Sequence, residues 1–157
     1  MTKNNKDDYS ADDVLSSPWI KWGKVGNHIF GTLTAVTPRT GVNQYSGKEE
    51  TTLIYEIKAD GGEYNDMDEK KNPIEPAIVI NAGDMFNVGD HFTIHPIMKN
   101  VKLGQKIKIE FTEEKPSKTK GNAPMKIRKV YSKGVMDEEW LAEKEAEKTA
   151  ELEGGDF

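Results

Sequence analysis

The chain contains no cysteine. Disulfides, thiolate metal sites and cysteine nucleophiles are therefore excluded, and the absence fits a reducing compartment. No apolar run approaches the ~20 residues that a membrane helix needs. The opening residues, MTKNNKDDYSADD, lack the apolar core of a signal peptide. A soluble cytoplasmic protein with no membrane partner is expected. Apolar residues make up only 35% of 157 positions, so part of the chain should stay outside a single core. Histidine is scarce. His91 and His95 have the spacing of a helical metal pair, but Thr93, Ile94 and Pro96 oppose a helix there and no third ligand has matching spacing. The acidic group Asp66, Asp68 and Glu69 misses the calcium-loop pattern, and neither a phosphate loop nor G-x-S-x-G occurs. No catalytic constellation, metal or cofactor is expected, and the chain reads as a non-enzyme.

What is present is segregated charge. The whole chain carries −5. Residues 101–133 hold ten lysines and arginines against three glutamates, a local +7, and residues 134–157 hold two lysines against nine carboxylates, a local −7. A solvated surface with a solubilising tail is the plainer explanation of such blocks. A basic binding surface followed by an acidic tail is the functional one.

Hydrophobic patterning is mainly of period two. Lys106 to Thr112 puts Ile107, Ile109 and Phe111 on one face and Lys106, Lys108 and Glu110 on the other, which predicts a half-buried strand. Met125 to Tyr131 predicts its hairpin partner, across a polar loop from Glu113 to Pro124. Upstream, an extended pattern starts at His28 and contains Gly31, where a bulge or bend is expected. Thr37 to Thr51, with Pro38, Gly41, Asn43 and Gly47, reads as a loop. Thr52 to Lys58 alternates cleanly, and Asp60-Gly61-Gly62 reads as the turn that ends it. Pro76 to Ala82 predicts a short third strand. Gly83 to Asn100 predicts a short helix or capping loop, with a strand at Phe92 to His95 an alternative. Asp137 is a candidate N-cap for a partial helix over Val135 to Ala150.

Five strands with one irregular element before the fourth suit an all-β, five-stranded Greek-key OB-fold barrel. That fold binds nucleic acid on strands 2–3 and on the loops joining strands 1–2 and 4–5. A β-sandwich has a similar strand count. The expected organisation is a disordered arm over residues 1–17, a barrel over 18–133 and an acidic, partly helical tail over 134–157.

Single strands are held by cations tracking phosphates and by rings stacking on bases. The candidate cations are Lys21, Lys24, Arg39, Lys48, Lys58, Lys115, Lys118, Lys120, Lys126 and Arg128. The candidate rings are Trp19, Trp22, Tyr45, Tyr55, Tyr64 and Tyr131. Tyr55 shares a face with Leu53 and Ile57 and suits the core equally well. One of Trp19 and Trp22 is expected to be buried. Phe30, Phe92 and Phe111 read as core.

The tryptophan-rich opening, the glycine-bent strand, VKLGQKIKIEF, the Lys/Gly loop and MKIRKVY together resemble phage single-stranded-DNA-binding proteins of the OB-fold type. The resemblance implies a protein that coats single-stranded DNA without sequence preference during replication, recombination or repair. It also covers the ending: such proteins carry acidic tails closed by a bulky apolar residue, and this chain closes on Asp156-Phe157. By that resemblance Asp156 and Phe157 would recruit replication proteins. This tail departs from the bacterial Asp-Pro-Phe ending, and Gly154-Gly155 dilutes its charge. Other functions compatible with the pattern are an RNA-binding OB module and a non-enzymatic virion or interaction protein. A monomer or dimer fits equally.

Overall fold

Two long strands carry the fold. The computed structural model describes residues 17–43, 45–116 and 124–154. β1 (His28–Val42) and β2 (Glu49–Tyr64) pair antiparallel from His28↔Glu63 to Val42↔Glu49. β3 (Ile78–Ile80) and β4 (Met85–Gly89) lie one after the other along the second edge of β2. A helical turn, α1 (His95–Met98), leads to β5 (Lys106–Lys115) and β6 (Met125–Tyr131), and α2 (Glu138–Gly154) follows. β5 pairs with only the first five residues of β1, His28 to Thr32. The sheet order is β3-β2-β1-β5-β6, with β4 also bonded to β2. The chain is therefore of the all-β class, with one open antiparallel sheet of six strands.

Three expectations need correcting. Thr37 to Thr51 is mostly strand: β1 and β2 run on as a two-stranded ribbon whose residues 37–42 and 49–52 are exposed. With water on both faces the ribbon has no alternation to read, so its Pro38 and Gly41 looked like a loop. Gly61-Gly62 is not a turn. β2 passes through both glycines, because a Cβ at Gly62 would meet the His28 carbonyl oxygen at 2.3 Å and one at Gly61 would meet the Phe30 ring at 2.7 Å. The glycines let β1 and its ring approach closely. Finally, the extra strand is β4, which inserts Phe86 and Val88 into the core. Phe92 to His95 is not a strand.

Alternation places the core. Ile29 and Leu33 of β1, Tyr55 and Ile57 of β2, Phe86 and Val88 of β4, and Ile107, Ile109 and Phe111 of β5 share one cluster. Ile94 and Met98 cap it from α1. Ahead of β1, Pro18 to Trp22 runs along the outer edge of β4. The Asn87 N–H donates to the Pro18 carbonyl, and the Ile20 N–H to the Asn87 carbonyl, at 2.7 and 2.9 Å. Ile20 and Trp22 are buried as a result. Asn27 and Asn65 form a buried polar pair at 2.9 Å that ties this segment to the chain after β2.

Asp90 is the polar hinge of the α1 region. Its carboxylate accepts from the Tyr55 hydroxyl at 2.9 Å and from the His91 N–H at 2.9 Å, and it pairs with His95 Nδ1. Burial, followed by this hydrogen bond, pushes the Tyr55 hydroxyl well above its usual range. Asp90→Ala should cost about 2–3 kcal/mol in urea unfolding, because it strands a buried hydroxyl. Adding Tyr55→Phe should then cost little more. A loss below about 0.5 kcal/mol would mean that Asp90 does not hold this corner.

α2 starts where Asp137 accepts the Trp140 N–H at 3.0 Å and the Thr32 hydroxyl. Trp140 is buried, and with Leu141 it packs on Gly104. Farther along, the described side chains of α2 are exposed. No helix among the described residues is long and apolar enough to cross a membrane.

Candidate nucleic-acid interface

The β5–β6 hairpin presents two chemically different faces. Its register alternates the rows Lys108↔Tyr131, Ile109↔Val130, Glu110↔Lys129 and Phe111↔Arg128. Val130 packs against the core and Ile109 and Phe111 lie within it, so Arg128 projects on the core side of the sheet. Lys108 and Tyr131 project on the outer side.

On the core side Arg128 meets the segment beside β4. Its guanidinium lies 5.6 Å from the centre of the Trp22 ring. Lys126, two residues earlier, donates to the Trp22 carbonyl at 2.5 Å and lies 5.7 Å from the Phe111 ring. The Met67 sulfur is 3.2 Å from the same ammonium. Thr93 accepts the Arg128 backbone N–H, and its hydroxyl also bonds His91 Nδ1. Among the described residues no carboxylate stands within 4.0 Å of either cation. Arg128 Nε is buried with no hydrogen-bond partner there.

The electrostatics follow from that packing. Burial lowers the Arg128 guanidinium to about 10, and it still holds its charge at neutral pH. Lys126 is lowered first by burial and then by Arg128 and Lys71, with Glu114 opposing. His91 is also lowered, by burial and then by Arg128. Three basic groups thus share one half-buried site, in which Asp90 opposes the shift of His91 and Glu114 that of Lys126. Phe92, 65% exposed, lies tilted against His91 with ring centres 4.4 Å apart. The site suits an external anion attached to a flat ring.

The other expected residues are scattered. Trp19 is half-buried beside Gly89, and Lys21 is exposed. Lys24 is exposed and bound to Glu75 at 2.8 Å, which raises the lysine and lowers the carboxylate. Arg39 is on β1 in the ribbon, paired with Thr52, and Tyr45 and Lys48 are in the connection between β1 and β2. Tyr45, 90% exposed, has its backbone N–H held by the Asn43 side chain. Tyr55 is 1% exposed; it belongs to the core and offers no face to a base. Tyr64 packs edge-on against Phe86. Lys58 is half-buried on β2, and Lys115 stands 3.9 Å from Glu113. Lys118, Lys120, Asp156, Phe157 and residues 1–16 of the arm lie outside the described residues.

Sequence reasoning missed Phe30 and Phe92, both of which read as core and both of which are exposed. For Phe30 a signal existed: it alternates with Ile29 and Leu33 and so points the other way. It also missed Met67, His91 and Thr93, which no local pattern connects to β6. His91 and His95 bond Thr93 and Asp90 respectively. No protein-family model, curated protein or solved structure matches the chain.

Proposed function

We propose that the chain binds single-stranded DNA without sequence preference, as a non-enzymatic OB-type protein of replication, recombination or repair of the kind phages encode. The observation that carries this reading is the pair Arg128 and Lys126, packed at Trp22 with no carboxylate partner among the described residues. Both cations are half-buried, and partly desolvating a cation without a counter-charge is unfavourable. A phosphate backbone supplies the missing charge.

The OB-type architecture is supported by β1, which serves β2 along its whole length and β5 over its first five residues, and by the helical turn between β4 and β5. In this reading Pro18 to Trp22 fills the closing position between β4 and β6. Tyr45 and Lys48 would sit on the loop joining strands 1 and 2, with Arg39 on the ribbon that leads to it. Lys115, Lys118 and Lys120 would sit on or beside the loop joining the last two barrel strands. Asp156 and Phe157 would meet replication partners.

Arg128 over Trp22 makes tryptophan emission a direct reporter. Titration with oligo-dT should quench it, and affinity should fall as salt rises, with a slope near −0.7 per phosphate contact. Oligo-U and duplex should bind more weakly. Absence of binding at low salt overturns the reading, and tighter binding to oligo-U than to oligo-dT reassigns it to RNA.

A further inference from the structure

The outer face of the same hairpin carries a second feature. Phe30 of β1, Lys108 of β5 and Tyr131 of β6 lie in one row across three strands. Phe30 and Tyr131 are 40% and 45% exposed, and the Lys108 ammonium sits 5.7 Å from the Tyr131 ring centre. With Val135 they line a hollow of ≈ 350 Å³, inside the range of small-ligand sites, ~300–1,000 Å³. Its floor is apolar. Lys106, Lys108 and Lys133 stand around it with Asp60. Lys106 pairs with Asp60 at 2.8 Å and Asp137 at 3.9 Å, Lys108 pairs with Glu110 at 3.5 Å, and Lys133 pairs with no carboxylate among the described residues. This hollow lies on the opposite side of the sheet from Arg128. It lies outside the ribbon, the loop before β6 and the β2–β4 face.

We propose that this hollow is a second nucleobase subsite, in which one unstacked base lies against Phe30 and Tyr131 while its flanking phosphates meet Lys108 and Lys133. The proposal rests on the single-strand reading above and extends it. Charge complementarity selects the occupant. A neutral apolar peptide would leave Lys133 unused and the exposed Lys108–Glu110 pair undisturbed, whereas a base brings an aromatic ring for Phe30 and Tyr131 and phosphates for Lys133 and Lys108. β6 ends the sheet order, and Tyr131 is three residues from Arg128. A strand bound at Arg128 can therefore pass over the end of β6 at Tyr131 and reach the hollow. The DNA bends around the hairpin rather than lying along one face.

The test is photo-cross-linking of the full chain to oligo-dT containing 5-iododeoxyuridine, with peptide mapping, together with affinity measurements on Tyr131→Ala and Phe30→Leu. Phe30→Leu keeps an apolar cover over Gly61, so it guards against misfolding. Adducts are expected at Tyr131 or Phe30, and each variant should lose on the order of tenfold to a hundredfold in affinity, the range of one lost stacking contact. Cross-links confined to the Trp22 side, with both variants binding like the parent, would overturn the second subsite and leave the first reading standing. A parent chain that fails to bind oligo-dT would remove both. If the variants instead convert a sedimenting dimer to monomer with DNA affinity unchanged, the hollow is a contact between copies and the proposal is wrong.

Discussion

Gly31→Val is expected to unfold the chain or leave it marginal at 37 °C. Gly31 sits in β1 where the register with β2 shifts, between Phe30↔Gly61 and Gly31↔Ala59. A Cβ there would stand 2.1 Å from the Lys58 carbonyl oxygen and 2.8 Å from the Ala59 Cα. Both are backbone atoms within the longest strand pairing, where β1 is also bonded to β5, so neither can swing aside. Overpacking in a rigid site costs about 1–3 kcal/mol and sometimes more, and here the strands themselves must part. Even Gly31→Ala should cost about 3 kcal/mol, a large part of the ~5–15 kcal/mol that a domain has. Gly41→Ala, on the exposed ribbon with open space around it, is the control and should change stability by less than about 0.5 kcal/mol. Chemical unfolding of the three proteins decides the matter. Equal midpoints for Gly31→Ala and Gly41→Ala would mean that the close approach of β1 and β2 is not rigid.

Arg128→Met combined with Lys126→Met should move stability and binding in opposite directions. Each cation is expected to make a charge-assisted bond to phosphate, worth ~1.5–3 kcal/mol. Losing both should weaken oligo-dT binding by roughly a hundredfold to ten-thousandfold, and should flatten the salt slope by about 1.4, at ~0.7 per lost contact. The free protein should not suffer. Methionine keeps most of the volume, and removing a half-buried charge that no carboxylate among the described residues balances should leave stability unchanged or raised. A double variant that binds normally would move the site elsewhere. A double variant that is much less stable would show that the cations are structural, with Trp22 as their real partner.

The same crowding gives His91 a pH signature. Its folded pKa lies below the ordinary 6.5, so below that pH the unfolded chain binds more protons than the folded one. Stability contributed by neutral His91 is present above pH 6.5 and is lost as pH falls through the folded value.

How much of this was legible in the sequence depends on solvent contact. β6 falls on Met125 to Tyr131 as the alternation predicts, and β5 begins at Lys106 as it predicts. Each has one wet face and one dry face, which is the condition for a period-two signal. The ribbon is wet on both faces and gave no signal. Gly61 and Gly62 gave a false one, because glycine serves turns and close approaches alike. At the candidate site, the cations of β6 were readable as chemistry, but their burial beside Trp22 was not. That contact joins residues 104 positions apart, beyond any local pattern. Tyr55 and Phe30 exchanged roles for a related reason: hydrophobicity alone says that a ring is apolar, while register decides which side it faces.

That distant contact also sets an order of events at the ribosome. Pro18 to Trp22 leaves the ribosome before any strand has formed, yet Lys126 and Arg128, which close over Trp22, emerge more than a hundred residues later. Asp137, which accepts the Thr32 hydroxyl 105 positions away, is later still. At ~5–20 residues per second, Trp22 spends several seconds without its cover. Folding dominated by such remote pairings is slow even after release. A nascent chain arrested before residue 126 should therefore present Trp22 to solvent and to chaperones, and one arrested well past residue 137 should not.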